Sequence, residues 1–289
     1  MPDLSYAAPT TVPEAIKILS GATGTVKLMS GGTDLLVQLR SGRVRPDLIV
    51  DTKKLPGIIG ICEVNGGFVI GAATSGAMIG EHAALAAAYP GVVEAANLIG
   101  STQVQGRASL AGNLCNGSPA ADSVPALIAA GATCVVVGPN GSRTIPVETV
   151  VVGPGRTSLT RDQFITEFHL PKPAPHSADA YLRFIPRTEM DIAVVGCGIC
   201  VTLDAAGICT AAKVALGAVA PTQLVVTGAA EALIGHKLDE ATLAKLDAAA
   251  QAVCKPIDDK RGTIEFRTKI AGVLARRTAA IAFERAGAR

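Results

Sequence analysis

The sequence contains no tryptophan, and aromatic residues make up only 3% of it. Small side chains must therefore fill much of the core, and the 31 glycines allow a backbone to approach another backbone or a ligand closely. The formal net charge of +2 is too small to indicate a nucleic-acid partner. With 49% hydrophobic residues, the composition also excludes a disordered chain. A length of 289 residues corresponds to about two domains.

The chain also lacks a hydrophobic run long enough to cross a membrane. Its longest apolar stretches lie at about 124–138 and 193–201, whereas a spanning helix needs ~20 residues. The first ten residues have neither a basic n-region nor an apolar h-region, so we expect no signal peptide. The cysteines are seven in number and scattered, which predicts free thiols in a reducing compartment. We therefore expect a cytoplasmic protein without a membrane span.

One cysteine pair has CxxC spacing, Cys197 and Cys200. The surrounding residues, AVVGCGICVTL, predict a β-strand, and strand positions three apart point to opposite faces of a sheet. The two sulfurs are then unable to share a metal ion. We interpret both cysteines as structural and expect no metal or iron–sulfur cluster in this chain.

The common catalytic and nucleotide-binding motifs are missing. There is no Walker A sequence, no G-x-S-x-G and no H-x-x-x-H. The pair Gly196-x-Gly198 lacks the third glycine of a dinucleotide fingerprint and lies within the predicted strand. The four histidines are far apart in sequence. This pattern favours a binding or electron-carrying role over a substrate-transforming one.

The predicted elements change in order near residue 172. Before it, helices alternate with short strands: Thr11 and Glu14 form a capping box, and Asn65-Gly66 lies in a predicted hairpin. Residues 104–123 resist assignment. After the proline-rich segment 171–178, strands are followed by helices, which indicates an α+β domain.

The last predicted helix carries an excess of basic residues. We interpret them as the solvated or subunit-facing side of an amphipathic helix rather than as a phosphate-binding patch. These basic residues are Arg267, Lys269, Arg276, Arg277 and Arg285.

Two loops have the composition of a pyrophosphate site. In residues 28–35, an apolar strand enters Gly31-Gly32 and then a helix that opens with Thr33-Asp34. Glycines and the free N–H groups of a helix start suit an anion. The alternative is a plain strand–turn–helix with Thr33 as the cap.

The second loop comprises residues 100–103 and then 109–127, and it is rich in Gly, Ser and Asn. An irregular run of this length inside an ordered core tends to be functional. Within it, the carboxylate of Asp122 is suited to accept hydrogen bonds from ribose hydroxyls, or alternatively to cap the apolar helix that follows. A glycine-rich connection is the other interpretation of the whole loop.

In this order and separation, the two loops resemble those of the flavin (medium) subunit of the molybdenum hydroxylases, the family of xanthine dehydrogenase and aerobic carbon monoxide dehydrogenase. SGGTDLL is similar to the family's first FAD loop, and SLAGNLCNGSPAADSVPAL is similar to its second, T-[IV]-G-G-N-…-SP-x-x-D. Further similarity lies at 153–157, 181–194 and 265–277. In the second loop, Ser109 and Ala111 replace the family's usual Thr and Gly, and a methyl group at 111 requires a compatible backbone angle.

The resemblance implies an α+β fold. Residues 1–172 would form an FAD-binding domain of the vanillyl-alcohol-oxidase (PCMH) type. Residues 173–289 would form a smaller α+β domain of the carbon monoxide dehydrogenase flavoprotein C-terminal type, with an antiparallel sheet plus helices.

The resemblance also implies which residues contact the cofactor, and it implies no catalytic residue and no metal ligand in this chain. The implied FAD-contacting residues are Leu28, Met29, Ser30, Gly31, Gly32, Thr33, Asp34, Leu35, Ile99, Ser109, Leu110, Ala111, Gly112, Asn113, Asp122, Ile165 and Arg183.

The implied activity is electron transfer by an oxidoreductase subunit. FAD in this chain would take electrons from a small [2Fe–2S] subunit and pass them to NAD⁺, a quinone or O₂, while a large subunit with the molybdenum cofactor oxidises a substrate that it selects itself. The implied assembly is a dimer of heterotrimers. Two alternatives are a self-sufficient flavin reductase on the same fold and a flavin-free scaffold subunit.

Overall fold

The computed structural model describes residues 4–289. Residues 1–3 lie outside the described residues. They belong to the expected first domain and to the N-terminal segment in which we expect no signal peptide. Within 4–289, none of the helices is both long enough and apolar enough to span a bilayer.

Residues 4–172 form a three-stranded parallel sheet (β1-β3-β2), a five-stranded antiparallel sheet (β4-β5-β10-β6-β7) and a two-stranded ribbon (β8-β9). The strands are β1 (Ser5–Ala7), β2 (Val26–Met29), β3 (Leu48–Asp51), β4 (Ile61–Val64), β5 (Gly67–Gly71), β6 (Thr133–Gly138), β7 (Gly141–Pro146), β8 (Val151–Gly153), β9 (Arg156–Thr157) and β10 (Phe164–Leu170).

The helices of this part are mostly short. They are α1 (Val12–Gly21), α2 (Leu35–Arg40), α3 (Gly76–Glu81), α4 (Ala83–Ala88), α5 (Pro90–Ala96), α6 (Thr102–Gln105), α7 (Leu110–Cys115) and α8 (Ser123–Ala129), with 3₁₀ turns at Thr52–Lys54 and Val147–Thr149.

Residues 173–289 form a four-stranded antiparallel sheet in the order β11-β12-β13-β14, covered by three helices. The elements are β11 (Ser177–Phe184), β12 (Val195–Leu203), β13 (Cys209–Gly217), β14 (Leu224–Val225), α9 (Thr227–Leu233), α10 (Glu240–Ala252) and α11 (Ile264–Gly287). Strands followed by helices, as the sequence predicts, make this an α+β unit.

Two apolar clusters fill the molecule. One lies mainly among the elements before β11, and the other lies between the β11–β14 sheet and the helices α9, α10 and α11. Alanine, valine, leucine and isoleucine dominate both, as the shortage of aromatic residues requires. Tyr181 on β11 belongs to the first cluster, so the second sheet completes the core of the first part.

Local sequence signals agree with the structure at several points. Thr11 caps α1 by accepting a hydrogen bond from the N–H of Glu14 at 3.3 Å. Asn65-Gly66 forms the turn between β4 and β5. Cys197 and Cys200 both lie on β12, with the first side chain buried and the second partly exposed.

Two predicted elements differ in extent. The helix after Gly31-Gly32 begins only at Leu35, and Thr33 does not cap it; Asp34 occupies the cap position without a capping hydrogen bond. The unassigned run 104–123 contains a helix, α7, which Ser109 caps. Such short helices carry too few periodic positions to be recognised from sequence.

The interpretation of the basic residues on α11 as an outward-facing set is wrong for two of them. The side chain of Arg267 is buried and donates to the carbonyl oxygen of Val194 at 2.9 Å and to Asp259 at 2.6 Å. Arg285 donates to Glu94 and to the carbonyl oxygen of Asp179, which ties α11 to the first part of the chain. A charge pattern reports helical spacing but not which arginines find internal acceptors.

Candidate functional site

A cavity of about 750 Å³ opens beside the parallel sheet, a volume within the range of small-molecule and cofactor sites. Its walls come from residues after β2, from α7 and the segment that follows it, from the β8–β9 ribbon and from β10. The loop between β11 and β12 closes one side with Met190, Asp191 and Ile192. The cavity therefore lies where both parts of the chain meet.

The two loops singled out in the sequence touch each other at this cavity. The side-chain oxygens of Ser30 and Ser109 lie 2.8 Å apart. A Cβ at position 31 would lie 1.8 Å from the carbonyl oxygen of Arg107, so only glycine allows the two backbones to pass this closely. This contact joins residues that are almost eighty positions apart in sequence.

An ion pair between Lys53 and Asp51 holds the first loop in place. The Lys53 ammonium group donates to the carbonyl oxygen of Ser30 at 3.0 Å and to the carboxylate of Asp51 at 2.8 Å. The hydroxyl of Tyr6 donates to the same carboxylate at 2.7 Å. Burial disfavours the charged form of Asp51, but the hydrogen bonds from Lys53 and Tyr6 outweigh it and lower its pKa. Asp51 therefore stays ionised and holds Lys53 against the loop.

The second loop is shaped by the start of α7. Ser109 accepts a hydrogen bond from the N–H of Gly112 at 3.2 Å, and Asn113 accepts from the N–H and hydroxyl of Ser123 at 3.1 and 2.7 Å. These bonds tie α7 to α8. Ala111 lies within α7 and lines the cavity. Its methyl group is accommodated because a right-handed helix suits any residue with a Cβ.

A third segment with family similarity, residues 153–157, forms the turn and the second strand of the β8–β9 ribbon and contacts the second loop at Gly117. The N–H of Gly155 donates to the carbonyl oxygen of Gly117 at 3.0 Å. Gly155 and Thr157 both line the cavity. The ribbon thus forms part of the cavity wall next to the second loop.

Asp122 is a buried carboxylate of the cavity wall, and only 8% of the residue is exposed. Tyr181 donates to its Oδ1 at 3.1 Å and Arg183 donates to its Oδ2 at 2.8 Å. Burial raises the pKa of Asp122 to about 6, although the Arg183 charge and both hydrogen bonds act to lower it. The side chain makes no capping bond to α8, so the alternative role as a helix cap is wrong.

Most of the predicted FAD-contacting residues line this one cavity. Leu110 and Arg183 do not: the Leu110 side chain is in the core, and Arg183 lies behind Asp122 with 4% of its side chain exposed. Those that line it are Leu28, Met29, Ser30, Gly31, Gly32, Thr33, Asp34, Leu35, Ile99, Ser109, Ala111, Gly112, Asn113, Asp122 and Ile165. Their roles toward FAD stay predictions.

Sequence reasoning missed the contribution of the β11–β12 loop. Asp191 accepts hydrogen bonds from Arg261 at 2.8 Å and from Arg187 at 3.2 Å. The bond from Arg261, followed by those from the N–H of Ile192 and from Arg187, lowers the pKa of Asp191 to about 2. The spacing of Arg187 and Asp191 was a weak local signal, but Arg261 lies seventy residues away and only the fold brings it close.

The chain is similar to known proteins along nearly its whole length. The model of the FAD-binding domain in molybdopterin dehydrogenase matches residues 2–173, and that of the CO dehydrogenase flavoprotein C-terminal domain matches 180–282. The carbon monoxide dehydrogenase medium chain of Hydrogenophaga pseudoflava is 31% identical, over 98% of both chains. A xanthine dehydrogenase FAD-binding subunit of Escherichia coli O157:H7 is 30% identical, over 98% of this chain and 97% of its own length. A solved carbon monoxide dehydrogenase from Hydrogenophaga pseudoflava, lacking the Mo-pyranopterin moiety of its cofactor, superposes with a TM-score of 0.94 at 31% identity, covering 98% of each chain.

Proposed function

The chain belongs to the FAD-binding subunits of the molybdenum hydroxylase family, and on that premise we propose that it is an electron-transfer subunit. It takes electrons from a partner [2Fe–2S] subunit and passes them to NAD⁺, a quinone or O₂. The substrate is oxidised at the molybdenum cofactor of a large subunit. The three chains assemble as a dimer of heterotrimers, and the relatives' names, medium chain and FAD-binding subunit, support a multi-subunit complex.

The observation that carries this proposal is the meeting of residues 28–35 with residues 109–113 at one cavity. Gly31 lets the two loops cross closely at the cavity, and the free N–H groups expected at the start of α7 suit the pyrophosphate of FAD. Bound FAD would supply the redox chemistry, while the chain supplies binding and orientation. Arginines already engage the carboxylates of Asp122 and Asp191, which favours binding over acid–base catalysis.

We further propose that the boundary between the cofactor domain and a smaller second domain that covers the cavity, called the lid (residues 173–289), lies near residue 172. The separate apolar clusters support two units, 1–172 and 173–289. The lid contributes Met190, Asp191 and Ile192 to the cavity. We place the complex in the cytoplasm, a proposal supported by the unpaired state of the seven cysteines.

The test uses the purified full chain loaded with FAD. A [2Fe–2S] subunit of the complex is reduced with dithionite, desalted and mixed with it without oxygen. Loss of the visible flavin absorbance supports electron transfer from the cluster, and its return on adding NAD⁺, a quinone or O₂ identifies the acceptor. An oxidised flavin that never bleaches contradicts the proposal.

Two further outcomes correspond to the alternatives. Turnover of an enolpyruvyl substrate with NADPH by the isolated chain would indicate a self-sufficient reductase. A colourless chain that takes up no FAD when it is supplied would indicate a scaffold subunit.

A further inference from the structure

Gly196 and Gly198, the pair in β12 that does not match a dinucleotide-binding motif, lie where the second sheet contacts the cavity wall. At Gly198 a Cβ would lie 2.5 Å from the carbonyl oxygen of Pro125, so the backbone of α8 rests directly on β12. Asp122 occupies the residue before α8. This close approach therefore brings the carboxylate of Asp122 within hydrogen-bond reach of side chains on the second sheet.

The other glycine, Gly196, makes room for a hydroxyl group. A Cβ there would lie 2.6 Å from the hydroxyl oxygen of Tyr181, a residue on β11 that is 2% exposed. That hydroxyl donates to Oδ1 of Asp122 at 3.1 Å. A side chain at 196 would displace the hydroxyl from the position in which it makes this bond.

Tyr181 and Arg183 act from one face of the same strand, because side chains two apart in a strand point the same way. Arg183 donates to Oδ2 of Asp122 at 2.8 Å and to the carbonyl oxygen of Leu98 at 2.8 Å. Each carboxylate oxygen of Asp122 thus has one donor from β11. An ionised carboxylate has about four acceptor positions, so others remain for a ligand in the cavity.

We propose that Tyr181 is a positioning residue of the flavin site, whose hydroxyl holds the Asp122 carboxylate in its cofactor-binding orientation, and that Gly196 provides the space this hydroxyl needs. The inference rests on the proposed FAD site. It assigns to the lid a role in cofactor binding that is separate from covering the cavity.

The hydrogen bond from Tyr181 to Asp122 should make FAD binding depend on pH. Burial, followed by the neighbouring Asp122 charge, raises the pKa of Tyr181, so its hydroxyl keeps its proton and remains a donor. Tyr181 and Arg183 on β11 face Asp122, and Cys197 on β12 lies beside Tyr181. Loss of the Tyr181 hydroxyl removes a hydrogen bond that stabilises the charged carboxylate, so the pKa of Asp122 rises above about 6. A protonated Asp122 is a poorer acceptor for cofactor hydroxyls or N–H groups.

The experiment compares Tyr181→Phe with the control Tyr89→Phe in the full chain. Tyr89 is also buried, and its hydroxyl donates to the carbonyl oxygen of Pro171, away from the cavity. FAD affinity is measured by quenching of FAD fluorescence from about pH 5 to about pH 8, a range that brackets the titration of a raised carboxyl.

For Tyr181→Phe we expect FAD affinity to fall about tenfold near neutral pH, the lower end of the effect of one hydrogen bond to a charged group. The midpoint of its pH dependence should move upward by about half a unit or more. Tyr89→Phe should leave both the affinity and the midpoint at their wild-type values.

Gly196→Ala supplies a second test. Its Cβ should collide with the Tyr181 hydroxyl and lower both the melting temperature and FAD affinity. In Tyr181→Phe/Gly196→Ala the colliding oxygen is gone, and the next ring atom lies at an ordinary 3.4 Å. The melting temperature should therefore return to that of Tyr181→Phe, while FAD affinity stays at the reduced Tyr181→Phe level.

The outcomes separate the two proposals. If Tyr181→Phe has the affinity and pH profile of Tyr89→Phe, or if the double variant regains wild-type affinity, the positioning role is wrong. If the wild-type chain itself takes up no FAD, the proposed function fails instead. Should Gly196→Ala not fold, Tyr181→Phe and the double variant still decide the question.

Discussion

The sharpest prediction concerns Gly31, where the two loops cross. In Gly31→Ala the new Cβ would lie 1.8 Å from the Arg107 carbonyl oxygen and 2.6 Å from its carbonyl carbon. Normal carbon–oxygen contacts are longer by about 1.5 Å, so one loop must move by roughly that distance. Both atoms belong to backbone, which is unable to yield by changing rotamer. Overpacking of this kind costs about 1–3 kcal/mol.

The consequence for binding should exceed the consequence for stability. A displacement of this size separates Ser30 from Ser109 and misplaces the backbone groups that would receive FAD. We expect the free energy of unfolding to fall by about 1–3 kcal/mol, which lowers the melting temperature by roughly 2–4 °C per kcal/mol. FAD retention through gel filtration should be lost.

The assay is the ratio of flavin to protein absorbance after purification, together with thermal unfolding of the chain without FAD. The matched control is Gly21→Ala at the end of α1, where a Cβ meets nothing within 4 Å. It should retain FAD and wild-type stability. A Gly31→Ala chain that keeps stoichiometric FAD would refute the assignment of the crossing loops to the cofactor.

Three further predictions follow from the contacts. Ser109→Ala and Ser75→Ala each remove a helix cap, and each should lower the free energy of unfolding by about 1 kcal/mol in chemical denaturation. Only Ser109→Ala should weaken FAD binding in titrations, because only Ser109 also contacts Ser30. Equal FAD affinities of the two variants would contradict this. Arg267→Ala leaves a buried carbonyl oxygen without its donor and should destabilise by about 2–3 kcal/mol, whereas Arg277→Ala on the exposed side of α11 should change denaturation little. Burial raises the pKa of Asp179 from 3.8 to about 6, so between these pH values the folded chain holds a proton that the unfolded chain releases. The contribution of this proton to stability is therefore lost as the pH rises from 3.8 to about 6. Asp179→Asn should flatten the pH dependence of the unfolding free energy in this range, and an unchanged pH profile would show that another group is responsible.

The sequence predicted correctly those features that depend on residues close to one another along the chain. The cap at Thr11, the Asn65-Gly66 turn and the strand around Cys197 depend on neighbours only a few positions away. The loop motifs likewise occupy continuous stretches, so their glycines, order and separation indicated an FAD-binding subunit without any knowledge of the fold. The family comparisons confirm that identification.

Only the tertiary structure decided which distant groups meet. Asp122 finds Tyr181 some sixty positions away, and Asp191 finds Arg261 about seventy away. Arg267, expected on an outer face, is buried because Val194 and Asp259 offer it acceptors. Periodicity tells which side of a helix or strand is apolar, but the partner of a buried polar group depends on how layers pack. For this reason the sequence was enough to single out the two loops proposed to bind the cofactor, and the fold determined how the second sheet supports them.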